Sequence, residues 1–347
     1  MSILSRRLFE PSAIFQAHVH GRGVVYLDTG PWIDLADQKT PESRECLALC
    51  RNGIAQKKLI FPVSFASISE LIDQPPEANP INQAKIMDEL SEGVTFRSAE
   101  TIYRLECEVA FSFLHEQKVV EMDRTLLFSY VGDYLGDGYI DFPKQWNDKS
   151  VELFLNYVDQ ARFGRSIEQL LSDETAKEKR ASHLEKGAEY RERVQKEKEE
   201  KDTETVWEKL LLSERSWVFS NIVLPRLTEQ LLRGRSQVEV VQMLAKVRDA
   251  LGIGSPKRLE QLMKVLPSID LFCQVMATTR LDKNRRVKAN DFYDFEHARL
   301  PPAYSDVFVT NDGFLFNILT KKCTIPKTRD CTVLRGIKAF TEYLARH

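Results

Sequence analysis

Two short apolar runs, at opposite ends of the 347-residue chain, each lead into an aspartate. Residues 24–27 are followed by Asp28, and residues 307–309 lead through Thr310 to Asp312. Short β-branched runs without polar alternation are typical of parallel strands that are buried on both faces. The carboxyl ends of parallel strands meet at one edge of an open sheet, where such sheets bind ligands. The two acids are therefore predicted to lie together in an α/β protein whose sheet contains both ends of the chain.

Two further acids are predicted at the same edge of the sheet. Residues 59–63 form a second strand, and Glu70 lies in the helix that follows it. Asp294 opens an aromatic helical stretch before the strand at 307–309, and its spacing favours it over the neighbouring Asp291. Four carboxylates that lie close together cannot all stay ionised without a counter-charge. A hard cation such as Mg²⁺, which prefers oxygen ligands, is the usual one.

The pattern of strands and helices divides the chain into three parts. Residues 1–22 are predicted to be an N-terminal arm, and residues 23–98 together with 266–347 an α/β core. Residues 99–265 are predicted to be a helical insertion without convincing strands. Within it, residues 173–204 carry eleven acids and nine bases, which is typical of a solvated helix held by i,i+4 pairs. The alternative for this segment is a helical arm that contacts a partner.

Composition excludes some classes of protein. The net charge of −2 gives no overall positive field, so any polyanion must bind to a local patch. The six cysteines are scattered and no leader pattern is evident, so free thiols in a reducing cytoplasm are expected. No apolar run approaches the roughly 20 residues of a membrane span. The phosphate-binding glycine loops and the GxSxG nucleophile turn are missing.

The order of these elements, with an acid after each strand, resembles that of the PIN-domain nuclease family. The motifs that carry the likeness are Asp28-Thr29 after the first strand, Ser69-Glu70-Leu71 after the second, Asp294 before a helix that contains Ala298, and Thr310-Asn311-Asp312. The likeness covers roughly residues 23–98 and 285–347. The middle of the chain is much longer than a compact PIN domain would have.

The resemblance implies a three-layer α/β/α fold with a parallel central sheet. It also implies a nuclease that depends on Mg²⁺ or Mn²⁺ and most often acts on RNA. The residues that match the family's acidic quartet, and so its metal ligands, are Asp28, Glu70, Asp294 and Asp312. Thr310 matches the hydroxyl that orients the last acid. Because the family often forms dimers, a homo-oligomer is an expectation, as is a protein inhibitor of the antitoxin kind.

Other residues near the acids are candidates for supporting roles. Thr29 and Asn311 are positioned to bond carboxylates or scissile oxygens. His297 lies one helical turn after Asp294 and is a candidate for a catalytic or substrate contact. Glu70, which has the longer side chain, is a candidate to accept a proton from the attacking water or to bind a second metal.

Each acid also has a purely structural interpretation. Asp28 could be a helix N-cap, and Asp312 a turn or cap residue. Glu70 could be an acid in the first turn of a helix, where the helix dipole favours negative charge. The nuclease interpretation is preferred because all the acids fall where parallel strands converge.

A basic cluster precedes Asp294 and is the best phosphate-binding candidate in the sequence. Its members are Arg280, Lys283, Arg285, Arg286 and Lys288. A loop of this composition is usually only solvated surface, and that alternative stays open.

The leading hypothesis is a metal-dependent endoribonuclease of the toxin or defence type, which cleaves single-stranded or structured RNA. One alternative keeps the fold without the chemistry, as a catalytically silent scaffold or binding module. Another is a different enzyme with an acidic site, such as a DNA-directed nuclease or a phosphatase. The sequence contains no feature that separates RNA from DNA as a substrate.

Overall fold

The computed structural model describes residues 13–116, 122–131, 166–174, 176–178, 207–226, 256–282 and 291–347, together with isolated positions between 181 and 196 and at 228. Much of the helical insertion predicted over 99–265 lies outside these residues, including most of the charged segment 173–204, as does the basic loop at 283–290. The described part of the insertion includes a helix at Trp207–Val218, which continues through a π-helical turn at Phe219–Val223.

The described residues contain six strands: β1 (Gly23–Leu27), β2 (Leu59–Ile60), β3 (Val94–Phe96), β4 (Phe128–Tyr130), β5 (Val307–Thr310) and β6 (Thr332–Arg335). Four of them form one parallel sheet in the order β2-β1-β5-β6. The two ends of the chain therefore pair at the centre of the sheet, as the apolar runs predicted. The register pairs Leu27 with Val309, so β1 and β5 end side by side.

A second pair of strands continues this sheet at one side. Beyond β2, Val63 bridges to Thr95 in parallel, and the backbone N–H of Phe96 donates to Val63 at 2.8 Å. β3 then pairs antiparallel with β4. β4 lies within the segment predicted to be helical throughout. Three residues are too few to show the alternation of apolar and polar side chains that marks a strand. This strand is defined by its pairing with β3 and by the burial of Phe128.

Helices precede, connect and follow the strands. In the first third of the chain they are Ala13–Val19, Thr29–Asp37, Pro41–Ala55, Phe65–Asp73, Pro80–Ser91 and Ala99–Glu116. In the middle they are Ile167–Ser172, Trp207–Val218, Pro256–Met263 and Pro267–Leu281. At the end they are Asp291–Arg299, Pro301–Tyr304, Gly313–Asn317, the π-helical Ile318–Lys322, Ile325–Thr328 and Gly336–Leu344.

The side chains of β1 alternate between two hydrophobic cores on opposite faces of the sheet. Val25 and Leu27 belong to one core, and Val24 and Tyr26 to the other. The first core is completed by helices Thr29–Asp37, Pro41–Ala55, Pro80–Ser91 and Gly336–Leu344. The second is completed by helices Ala13–Val19, Pro267–Leu281 and Asp291–Arg299. Helices thus cover both faces of a parallel sheet, which is compatible with an α/β/α arrangement.

The segment predicted as an N-terminal arm contributes to the second core. Its helix Ala13–Val19 buries Phe15 and Val19, and the Phe15 ring packs edge-on against Tyr130 with 4.6 Å between centroids. The sequence shows little sign of this, because a helix of seven residues with two apolar contacts is too short to show periodicity.

A third core joins the middle helices to each other. It is built by helices Ala99–Glu116, Trp207–Val218, Pro256–Met263 and Pro267–Leu281. Helix Pro267–Leu281 also supplies Leu271 and Val275 to the second core, so it joins the second and third cores. The buried Glu106 carboxylate caps its first turn by accepting hydrogen bonds from the N–H groups of Ser268 and Ile269, at 2.8 and 3.3 Å.

All six cysteines are free and buried, as the sequence predicted. Within the described part of the chain, we find no helix with both the length and the apolar character that a membrane span requires.

Candidate functional site

Asp28 lies at the end of β1 and begins a helix, so its interpretation as a helix N-cap is confirmed. Its Oδ1 accepts from the backbone N–H of Thr29 at 2.6 Å and caps helix Thr29–Asp37. Its Oδ2 accepts from the hydroxyl of Thr310 at 2.6 Å. The carboxylate is buried, with 6% of the residue exposed. Both oxygens are therefore fixed in direction by hydrogen bonds from two neighbouring strand ends.

Asp312 repeats this arrangement at the end of β5. Its Oδ1 accepts from the N–H of Leu315 at 2.6 Å and caps helix Gly313–Asn317. The N–H of Asp312 donates to the Thr310 hydroxyl at 2.9 Å. The resemblance implied that Thr310 orients the last acid. In the structure its hydroxyl contacts the backbone of Asp312 and the carboxylate of Asp28.

Glu70 reaches the same edge from helix Phe65–Asp73. This helix begins with Ser64 as its N-cap, so Glu70 lies in the second turn and the interpretation as a first-turn acid is wrong. Its Oε2 accepts from the Thr29 hydroxyl and lies 2.8 Å from Nε2 of His297. Burial opposes ionisation of this carboxyl, but His297 and the Thr29 hydrogen bond lower its pKa.

His297 is fully buried between the acids and the sheet. Its Nε2 lies 2.8 Å from Glu70 and 3.4 Å from Oδ1 of Asp28, and its Nδ1 lies 2.5 Å from the hydroxyl of Tyr26. Burial alone would lower the pKa of His297, but the Tyr26 oxygen and the carboxylates of Asp28 and Glu70 raise it well above its usual range. We therefore describe His297 as an imidazolium that partly neutralises the two acids.

The tyrosine that holds this imidazole was not identified from the sequence. The Tyr26 hydroxyl lies 2.6 Å from Oγ of Ser64 and 3.1 Å from Oγ of Ser67, in addition to His297. Tyr26 was predicted only as an apolar strand residue. One available signal was the pair of serines that follows the second strand, since buried hydroxyls need partners.

Asp294 completes the group of acids. Burial, followed by repulsion from Asp312 and then Asp28, raises the pKa of Asp294 to about 7. Repulsion of this kind acts between neighbouring groups, so Asp294 lies near both acids. In the described part of the chain no hydrogen-bond donor contacts the Asp294 carboxyl.

Asn311 was predicted to bond carboxylates or scissile oxygens, and it bonds a carboxylate outside the quartet. Its Nδ2 donates to Asp34 at 2.8 Å, in an exposed position. The loop that carries it packs tightly on the first helix, because a Cβ at Gly30 would lie 2.9 Å from Cβ of Asn311. Gly30 thus permits the close approach of the two strand ends.

Among the predicted basic cluster, Arg280 is described and the other four residues are not. Arg280 forms an ion pair with Glu214 of helix Trp207–Val218. The two side chains are only 10% and 7% exposed, so the pair belongs to the packing of the middle helices and leaves little of Arg280 open to a phosphate. Lys283, Arg285, Arg286 and Lys288 lie outside the described residues.

A cation that was not identified from the sequence lies at the edge of the site. Arg335 is the last residue of β6, pairs in register with Thr310 and is exposed. Its guanidinium lies against Gly313, where a Cβ would come within 2.8 Å of Nη2. This places a positive charge beside Asp312. Within the described residues it has no carboxylate partner.

The donor set suits a divalent cation. Ligand atoms of Asp28, Glu70 and His297 all lie within 4.8 Å of one another. With the four acids ionised and His297 protonated, the cluster carries a charge of −3, from four negative charges and one positive. Carboxylate oxygens suit Mg²⁺ and Mn²⁺, and the imidazole could join a softer metal only after losing its proton.

No protein-family model matches this sequence, and neither curated proteins nor solved structures provide a match. The function is therefore argued from the site itself.

Proposed function

We propose that this protein is a metal-dependent nuclease of the PIN-like type, which hydrolyses phosphodiester bonds at the acid cluster. One observation carries the proposal: Asp28, Glu70, Asp294 and Asp312 converge on a single edge of the sheet. Their charge is only partly neutralised by the imidazolium of His297. Burial, and after it repulsion from Asp312 and Asp28, raises the pKa of Asp294, so a bound cation would stabilise the ionised acids.

Asp28, Asp294 and Asp312 would hold one or two cations, Mg²⁺ or Mn²⁺. Asp28 is already oriented by Thr29 and Thr310, and Asp312 by its own helix. Such ordered carboxylates need little rearrangement on binding a metal. When bound, the cation polarises a phosphoryl oxygen and lowers the pKa of an attacking water.

The acids are suited to different tasks. The lowered pKa of Glu70 favours its ionised form, so it is suited to holding charge and not to accepting a proton. His297 and Thr29 fix its position. A carboxyl that binds a cation must lose its proton, so Asp294, whose pKa is about 7 in the metal-free protein, would release its proton as the metal binds. Asp294 is therefore assigned as a metal ligand and not as the proton acceptor.

Substrate binding would rely on Arg335, because Arg280 is occupied by Glu214. The Arg335 guanidinium is exposed beside Gly313 and Asp312, where it can form two parallel hydrogen bonds to a phosphate. The preference for RNA over DNA, and the toxin or defence role, rest on the family resemblance. The expectations of a homo-oligomer and of a protein inhibitor rest on the same resemblance.

The test is cleavage of end-labelled single-stranded RNA and DNA with Mn²⁺ or Mg²⁺, by wild type and by Asp28→Asn. Asparagine preserves the helix cap, so the variant should fold. Asp37→Asn, on a partly exposed residue of the same helix that pairs with Lys39, is the matched control. We expect metal-dependent cleavage by wild type and the control, and none by Asp28→Asn. Equal cleavage by all three proteins would contradict the assigned site.

A catalytically silent binding module is the second candidate. It is favoured by the fact that Asp28 and Asp312 each cap a helix, which needs no metal. Metal binding separates the two candidates. If Mn²⁺ raises the melting temperature of wild type more than that of Asp28→Asn, the metal centre stands even without cleavage. Absence of both cleavage and a metal effect would favour the binding module.

A further inference from the structure

A cleft separate from the acid cluster lies at the amino end of β5. It has a volume of about 470 Å³. Tyr304, Ser305 and Asp306, which lead into the amino end of β5, form one wall. Asp312 follows the carboxyl end of the same strand, so the two sites are separated by its length. The cleft is therefore distinct from the proposed nuclease site.

The rim of this cleft carries three cations and one acid. Arg124 is held in place, because it donates to the carbonyl of Tyr304 at 3.0 and 2.6 Å and pairs with Asp306 at 3.0 Å. Lys264 and Arg329 are exposed, and within the described residues neither has a carboxylate partner. The two are brought together by a 3.5 Å contact from Nη2 of Arg329 to the carbonyl of Lys264. Three positive charges and one negative charge leave a local charge of +2.

A buried hydroxyl lies behind one wall of the cleft. Ser305 is only 2% exposed, and its Oγ has no hydrogen-bond partner in the described part of the chain. A buried hydroxyl without a partner costs free energy. A ligand in the cleft would gain a hydrogen bond from Ser305 only if this side chain turned towards the cleft, which the variant Ser305→Ala tests.

The remaining walls of the cleft are apolar. Val265 and Pro267 approach from the middle helices, and Met122 and Leu127 from the segment before β4. A volume of this size and a mixed lining are typical of small-molecule sites, which combine apolar walls with a few converging polar groups. The ligand that fits has an anionic end and a body of ring size with apolar faces.

We propose that this cleft binds a phosphate monoester with a ring-sized body, the class to which nucleoside monophosphates belong. A phosphate monoester carries roughly −1.5 to −2 charge at neutral pH, which matches the local charge of +2. Lys264 and Arg329 bind the phosphate, and the apolar wall contacts the body. Arg124 is a positioning residue, because its donors are used by Tyr304 and Asp306.

The test is calorimetric titration of the full chain with adenosine 5′-monophosphate, adenosine and inorganic phosphate, with EDTA present to remove metals from the acid cluster. The probe variant combines Lys264→Ala and Arg329→Ala, which are exposed and so should not disturb folding. The matched control combines Lys338→Ala and Arg346→Ala, which removes the same charge from another exposed surface. Ser305→Ala removes only the buried hydroxyl.

We expect the monophosphate to bind wild type at least about tenfold more tightly than adenosine or phosphate alone. The probe variant should lose at least about tenfold in affinity, Ser305→Ala less, and the control nothing. Asp28→Asn should bind as wild type does, because its substitution lies in the other site. No binding of the monophosphate, equal binding by wild type and the probe variant, or equally tight binding of phosphate alone would overturn the proposal. If wild type binds RNA but not the monophosphate, and the probe variant does not bind RNA, the cleft is part of a nucleic-acid surface and the proposal is overturned.

Discussion

The hydroxyl of Thr310 donates a hydrogen bond to the carboxylate of Asp28, with 2.6 Å between Oγ1 and Oδ2, although 282 positions separate the two residues. The same oxygen accepts from the N–H of Asp312 at 2.9 Å. One buried hydroxyl thus sets the position of both strand-end acids relative to each other. Thr310 is therefore part of the site and not only of the strand.

Replacing Thr310 by valine should destabilise the protein and impair metal binding. Valine preserves the shape of the side chain but removes the donor to Asp28 and the acceptor for Asp312. Loss of a buried hydrogen bond of this kind costs about 1–3 kcal/mol, which urea unfolding would measure. Thr310→Ser retains the hydroxyl and is the control. If the valine and serine variants bind Mn²⁺ equally well, the hydroxyl has no role in the site.

The stability of the metal-free protein should decrease as the pH rises towards neutrality. The pKa of Asp294 in the folded protein is about 7, whereas the ordinary pKa of this group is 3.8. The contribution of Asp294 is therefore complete below pH 3.8 and is lost as the pH rises through about 7. Unfolding in urea with EDTA between about pH 5 and pH 8 would measure it.

Asp294→Asn should flatten this pH dependence. Glu106 contributes a slope of the same sign, because burial raises its pKa to about 7, so the difference between wild type and the Asp294→Asn variant isolates Asp294. Mn²⁺ should reverse the trend, since it competes with the proton for the carboxyl and binds more tightly as the pH rises. An identical slope in both proteins would show that Asp294 titrates normally.

Arg335→Ala should weaken binding of the proposed nucleic-acid substrate while leaving the proposed metal site intact. The guanidinium is exposed beside Asp312, so its removal should raise KM several-fold and leave the Mn²⁺-dependent rise in melting temperature unchanged. Arg335→Lys should restore binding only in part, because an ammonium cannot form two parallel bonds to a phosphate. Arg346→Ala, at an exposed site in the last turn of the chain, is the control. A lower kcat with unchanged KM would contradict this role.

Arg280→Ala should act on stability and not on nucleic-acid binding. It would leave Glu214 buried without its partner, and breaking a buried pair costs about 3–5 kcal/mol. The combined change Arg280→Met and Glu214→Leu should recover much of that loss, because it removes both charges. Thermal unfolding and filter binding to RNA would distinguish the two effects. A stable single variant with weakened RNA binding would restore the phosphate-binding role predicted for Arg280.

The sequence predicts the part of the site that local pattern determines. Apolar runs followed by Asp28 and Asp312 predicted β1, β5 and their shared edge, because strand ends and caps have short-range signatures. The helix of Glu70 was also predicted, although its start at Phe65 moves the acid from the first turn to the second.

The parts that depend on distant contacts were not predicted. A tyrosine in an apolar run gives no sign that its hydroxyl will bond His297, which is 271 positions away. Nor does a basic residue show that a buried acid will pair with it, as Glu214 does with Arg280 across 66 positions. Strand β4 is defined by its pairing with β3, which lies more than 30 residues earlier.

The two helix-capping aspartates have an evolutionary consequence. Asparagine caps a helix about as well as aspartate does, so Asp28→Asn and Asp312→Asn would remove a charge while keeping both helix starts. Aspartate and asparagine codons differ by one base. A lineage could therefore lose the proposed catalysis in a single mutational step and still retain the folded scaffold for selection to use in another role.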